Sequence, residues 1–129
     1  MNIKVLDHII SRMENEAFDL YSHSERTSLL CYAVAKELDL YPEELEQAYF
    51  AGLLHEIGKL DFREEQMGIV NIENLYPYFT ASILNNCEGY DKLSKIILQY
   101  KENYDGTGEP QGLKEDEINI IAKILRIAD

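Results

Sequence analysis

Between Leu53 and Leu60 the chain reads Leu-Leu-His-Glu-Ile-Gly-Lys-Leu, setting the imidazole of His55 beside the carboxylate of Glu56, with the cation Lys59 close behind. Imidazole and carboxylate together suit a borderline or hard divalent ion such as Fe, Mn, Zn or Co, and a neighbouring lysine places positive charge beside a bound phosphate. Adjacent residues of a helix point about 100° apart, so both side chains reach one ion only where the helix is ending. Gly58, tolerant of the left-handed conformation of a helix stop, is the expected ending. His23, with Asp19 one turn before it on the same face, and Asp129 behind the last helix offer further donors. Two histidines and two acids from separate helices can converge in a bundle core, which is how helical metal sites are built. The pair alone is a weak signal, because a histidine satisfied at a helix end is common. Other chemistry lacks local support: Cys31 and Cys87 have no neighbouring base, no Gly-x-Ser-x-Gly elbow occurs, and His8 reads as a surface or packing residue.

The elements that must position these groups read as helices throughout. Ile3, Leu6, Ile9, Ile10 and Met13 recur at helical spacing and predict a first helix ending near Glu14 to Glu16. A second, from about Asp19 to Leu38, carries His23, Thr27, Leu30 and Val34 on its inward stripe, with Ala33 and Leu38 beside it. After a turn from Asp39 to Pro42, the third starts on proline and two acids and puts Leu45, Ala48, Gly52 and His55 on one face. Asp61 to Asn74 reads as irregular, and Pro77 as the opening of a helix through Phe79, Ile83 and Leu84. Asp91 to Tyr104 turns Leu93, Ile96, Ile97 and Tyr100 inward, Asp105, Gly106 and Gly108 break the chain, and a final helix begins around Glu115. With only Asn119, Lys123 and Arg126 as its polar stripe, that last helix is expected to be the most buried. No segment alternates like a strand, so the expected fold is all-α, a single domain over 1–129 with about six helices.

Composition limits the functions. The 12 basic against 24 acidic residues leave a net charge of -12. No cluster of Lys and Arg is available to neutralise a nucleic-acid duplex, so any phosphate ligand needs a metal or a local cationic pocket. At 46% hydrophobic and 28% charged, the chain is a folded protein and not a disordered acidic tail. Two isolated cysteines, with neither an apolar membrane span nor a leader pattern, point to reduced thiols, no membrane partner and a cytoplasmic setting.

Taken together, His23-Ser24-Glu25-Arg26, His55-Glu56-Ile57-Gly58-Lys59, Asp105-Gly106-Thr107-Gly108-Glu109-Pro110 and the helix leading to Asp129 resemble the HD superfamily, and within it the HD-GYP branch. The motifs run in family order over about residues 18–129. The resemblance implies a compact helical bundle, a metal-dependent phosphodiesterase ancestry tied to cyclic di-GMP, and a ligand set of His23, His55, Glu56 and Asp129. Glu56 replaces the family's aspartate, and one extra methylene moves a carboxylate by roughly 1.5 Å, against a ligand tolerance of about 0.2 Å. Tyr76, Tyr100 and Lys101 stand where the branch carries histidines for further metals, and Glu109 stands where it carries an aromatic residue in the loop of Asp105, Gly106 and Gly108. A protonated lysine repels a cation, so Lys101 is expected to pair with Glu56 or Asp129 in place of a lost metal.

Three functions follow, in descending order. The first is a degenerate, non-catalytic signalling module without metal, binding a small molecule or a protein partner. The second is a mononuclear phosphohydrolase for a nucleotide or phosphate ester, with Lys59 stabilising developing negative charge. The third is an active cyclic di-GMP phosphodiesterase. Oligomeric state is left open.

Overall fold

The computed structural model describes residues 3–61, 72–100, 106–107 and 112–129. Among the described residues there are six α-helices: α1 (Ile3–Glu16), α2 (Phe18–Glu37), α3 (Pro42–Leu54), α4 (Ile72–Asn85), α5 (Asp91–Gln99) and α6 (Ile120–Ala128), with 3-10 turns at Ile57–Asp61 and Glu115–Glu117. No strand occurs among the described residues, so the all-α expectation holds.

Helices α2 and α3 form the antiparallel hairpin at the centre. Asp39 closes it with a left-handed φ of 57°, a conformation that aspartate tolerates better than most residues. Pro42 starts α3 without sacrificing an amide, and the Glu44 carboxylate accepts the Tyr41 N–H at 3.1 Å. The two backbones come close at Gly52, where a Cβ would stand 2.6 Å from the Cα and 2.8 Å from the nitrogen of Ser28. Glycine is required there because only hydrogen fits between the backbones. Small residues on α2 (Ser24, Thr27, Ser28, Cys31, Ala35) line this buried face.

The inward stripe of α2 runs through Ser24, Thr27, Ser28 and Cys31, with Val34 packed against the core, so the expected stripe holds at Thr27 and Val34 and is corrected at Leu30, Leu38 and Ala33. Leu30 is 50% exposed, Leu38 52%, and Ala33 is also exposed. Leu29 and Tyr32 add apolar groups to the outer face, so hydrophobicity by itself does not mark the buried side.

Three boundaries also differ from expectation. Helix α3 ends at Leu54 and not at Gly58, and Gly58 is absent from the positive-φ residues. Pro77 lies inside α4, which begins at Ile72. As the sixth residue it lies beyond the first turn, so it removes the i→i−4 hydrogen bond that its position would otherwise make. The last helix begins at Ile120, not Glu115: Glu115–Glu117 form a 3-10 turn, and the Asn119 side chain caps α6 by accepting the Ile121 N–H at 2.8 Å. Ile121, Ala122, Ile124 and Leu125 of α6 are buried, but Ile120 is 37% and Ile127 80% exposed, so the helix is amphipathic and not enclosed all round. The inward residues expected on α5 (Leu93, Ile96, Ile97 and Tyr100) are all buried. Residues 101–104, expected to continue that helix, lie outside the described residues, as do 62–71 of the segment expected to be irregular.

Candidate metal centre

His23 projects from α2, His55 caps the end of α3, Glu56 follows in the next turn, and Asp129 follows α6. One ligand-type atom from each of these four lies within 4.8 Å of all the others. The Asp129 Oδ1 stands 2.9 Å from His23 Nε2 and 3.0 Å from His55 Nε2. Glu56 Oε1 is 3.3 Å from His55 Nε2 and 3.6 Å from His23 Nε2. Two ligands on one divalent ion with bonds of about 2.0–2.1 Å lie roughly 3.0–3.4 Å apart, so this donor set fits a single cation.

Adjacent residues share the site because the helix stops in time. Leu54 ends α3, His55 still has helical angles (φ -61°, ψ -24°), and the chain then tightens into the 3-10 turn Ile57–Asp61. With the chain turning there, the Glu56 carboxylate comes within reach of both imidazoles. The His55 ring is fixed from behind, its Nδ1–H donating to the Gly52 carbonyl at 2.7 Å and leaving Nε2 to face the carboxylates. A backbone carbonyl in this position sets the tautomer and the orientation that a ligating histidine needs.

Exposure increases across the group, from 0% of the His55 side chain through 9% of Glu56 and 19% of Asp129 to 36% of His23. Burial opposes the charged form of His55, but hydrogen bonds and charge from Asp129 and Glu56 prevail and push its pKa up to about 9. Burial likewise opposes ionisation of Asp129, yet hydrogen bonding to His55 and His23 holds its carboxyl well below the usual carboxylate range. Glu56 is lowered too, desolvation being outweighed by His55 and Lys59. Without a cation, the two carboxylates therefore favour the protonated form of His55.

Lys59 reaches Glu56 from the other side, its Nζ 3.2 Å from Oε2 and 4.4 Å above the centre of the Tyr76 ring. Tyr76 and Tyr100, both 1% exposed, pack together with ring centroids 6.4 Å apart, and Tyr100 meets His55 edge-on at 5.7 Å. Asp19 is a correction: it is exposed in the first turn of α2 and does not join the four. Lys101, Asp105, Gly108 and Glu109, and with them the expected pairing of Lys101, lie outside the described residues. Gly106 is in a left-handed turn, with φ +86°, consistent with the expected chain break.

Sequence reasoning missed two contributors. Gly52 was placed on the correct face, but its carbonyl is the partner of His55, a relation signalled only by the i, i+3 spacing. Thr80 carries no sequence signal at all; its hydroxyl accepts the Gly58 N–H at 2.9 Å. A Cβ on Gly58 would stand 2.6 Å from the Tyr76 carbonyl oxygen and 2.7 Å from the Thr80 nitrogen and hydroxyl. Gly58 is thus needed for close packing against α4 and not for a helix stop.

A family model described as an HD domain matches residues 5–129. A cyclic di-GMP phosphodiesterase of Pseudomonas aeruginosa is 30% identical over 121 residues, covering 84% of this chain and 28% of that protein. A 3'3'-cGAMP-specific phosphodiesterase of Vibrio cholerae is 31% identical over 117 residues, covering 84% of this chain and 27% of its own length. A cyclic di-GMP phosphodiesterase of Thermotoga maritima is 29% identical over 140 residues, covering 98% and 37% respectively. The matches therefore span between 27% and 37% of the length of these relatives. No helix among the described residues is long and apolar enough to cross a membrane.

Proposed function

We propose, because this chain belongs to the HD-domain family, that it is a one-metal phosphohydrolase in which His23, His55, Glu56 and Asp129 hold a divalent cation and the substrate is a phosphate ester. The observation that carries the reading is the convergence of those four donors within 4.8 Å from separate elements. Fe, Mn, Zn and Co all accept two nitrogen and two oxygen donors. A cation held there supplies Lewis acidity to a phosphoryl oxygen and acidifies water at neutral pH.

The chain's own groups do the rest. The Gly52 carbonyl keeps His55 Nε2 directed into the site, and the Lys59 ammonium holds the second oxygen of Glu56 while setting positive charge at the edge where a phosphate's negative charge develops. Tyr76 and Tyr100 fill the space beside His55 with buried rings, which favours one cation over two. The relatives named above act on cyclic di-GMP and 3'3'-cGAMP, so cyclic dinucleotides head the substrates to test.

A second reading, the non-catalytic binding module expected first from sequence, is favoured by one observation: Lys59 already neutralises Glu56. Metal analysis separates the two. Protein purified without chelator and loaded anaerobically with Fe, Mn or Zn should retain near one equivalent, lost in His55→Ala, and then hydrolyse a phosphate ester. No retained metal retires hydrolysis in favour of the module, and two equivalents overturn the one-metal assignment.

A further inference from the structure

The 3-10 turn that follows Glu56 and carries Lys59 packs against α4, and a hydrogen bond joins the two at Gly58. The Gly58 N–H donates to the Thr80 hydroxyl at 2.9 Å, and Gly58 lies so close to α4 that any Cβ would collide with Tyr76 and Thr80 backbone atoms. Thr80 is wholly buried. One residue on, the Ala81 carbonyl accepts the Ser94 hydroxyl of α5 at 2.8 Å, and α5 leads into Tyr100, which packs edge-on against His55. Lys59, next to Gly58, is held between Glu56 and the Tyr76 ring, one α4 turn from Thr80.

We infer that Thr80 is a positioning residue: through its hydrogen bond to Gly58 it fixes the Ile57–Asp61 turn and thereby sets where Glu56 and Lys59 stand in the metal centre. The inference rests on the metal reading for its functional consequence, though not for its geometry. A carboxylate on a short turn needs external support, because ligand placement tolerates only about 0.2 Å. A buried amide stripped of its acceptor will shift the turn to find another. Thr80→Val keeps the shape and removes the acceptor, and Thr80→Ser restores it.

The test uses Mn2+ titration followed by the EPR signal of the free ion, and NMR of the metal-free protein reporting the imidazole resonances of His23 and His55 and the exchange rate of the Gly58 amide. Thr80→Val should weaken Mn2+ binding at least about tenfold, move the imidazole resonances and abolish protection of the Gly58 amide. Thr80→Ser should stay near wild type in all three. Leu45→Ala, in the first turn of α3 away from the site, lowers stability and should change none of the three. Thr80→Ala, which has no bulk to misplace, is the second probe if the valine variant does not fold. Unchanged imidazole resonances in a folded Thr80→Val or Thr80→Ala, or a wild-type Gly58 amide exchanging at the unprotected rate, overturns the inference. Absence of Mn2+ binding in the wild type, with the resonances still moved by Thr80→Val, defeats the metal reading and leaves the positioning role standing.

Discussion

Replacing Gly52 with alanine should damage fold and site together. The added methyl would lie 2.6 Å from Ser28 Cα, 2.8 Å from Ser28 N and 3.0 Å from Thr27 C, against ordinary contacts that begin at 3.4 Å. All three are backbone atoms, so no side chain can swing away, and α2 and α3 must part locally by about 0.8 Å. Overpacking of this kind costs about 1–3 kcal/mol, and alanine's higher helix propensity returns about 0.5–1 kcal/mol. The net loss, up to about 2.5 kcal/mol, lowers the melting temperature of a chain this size by up to roughly 10 °C. The same separation moves His23 on α2 away from His55 and Glu56 at the end of α3 by several times the tolerance of about 0.2 Å, so divalent-ion affinity should fall by about 10–100-fold. Thermal denaturation in EDTA gives the first quantity and Mn2+ titration the second. A Gly52→Ala protein that melts at the wild-type temperature and binds Mn2+ as the wild type does would refute both the packing argument and its link to the site.

The remaining predictions concern charge and capping. In the metal-free protein, the raised His55 pKa contributes stability that is complete below about pH 6.5 and lost as pH rises through about 9, while the depressed carboxyls of Glu56 and Asp129 contribute stability present above about pH 4.5 and lost on acidification. The melting temperature in EDTA should accordingly be highest near pH 5–7, and an alkaline limb flat from pH 7 to 9.5 would show that His55 is not so held. Metal uptake at pH 7 should expel about one proton from His55, read from the buffer dependence of the calorimetric enthalpy; no release contradicts ligation through its Nε2. Lys59→Met should keep the metal and lower hydrolysis by about 10²-fold or more, so unchanged turnover removes lysine from the chemistry. Asn119→Ala should cost about 1 kcal/mol through loss of the α6 cap, and a melting temperature equal to wild type would show the cap to be idle.

The candidate site was legible where chemistry and periodicity agreed. His23, His55, Glu56 and Asp129 each stand on or just after a helix that the sequence pattern predicts, and all four meet. Asp19 shares the helical register of His23 but lies too near the exposed start of α2, because one turn of separation along a helix is also about 5 Å along its axis. On α2 itself the pattern misled: Leu29, Leu30 and Tyr32 face outward while serine, threonine and cysteine face inward, since close approach to α3 selects small side chains over apolar ones. Pro77 was read as a helix start because proline is favoured in a first turn, and here the helix had already begun at Ile72. Gly58 was read through its backbone freedom when the constraint was lack of space, a distinction that only the neighbouring helix supplies.

The graded exposure of the four donors separates how tightly a cation is held from how long it stays. His55 is sealed and offers no path, whereas the His23 side chain is 36% exposed. Were the four to hold a cation as proposed, exchange with solvent or chelator would begin at the His23 and Asp129 side, where the group meets solvent. Truncating His23 would then shorten the ion's residence time more than it lowers stability, whereas truncating His55 would disturb the core as well.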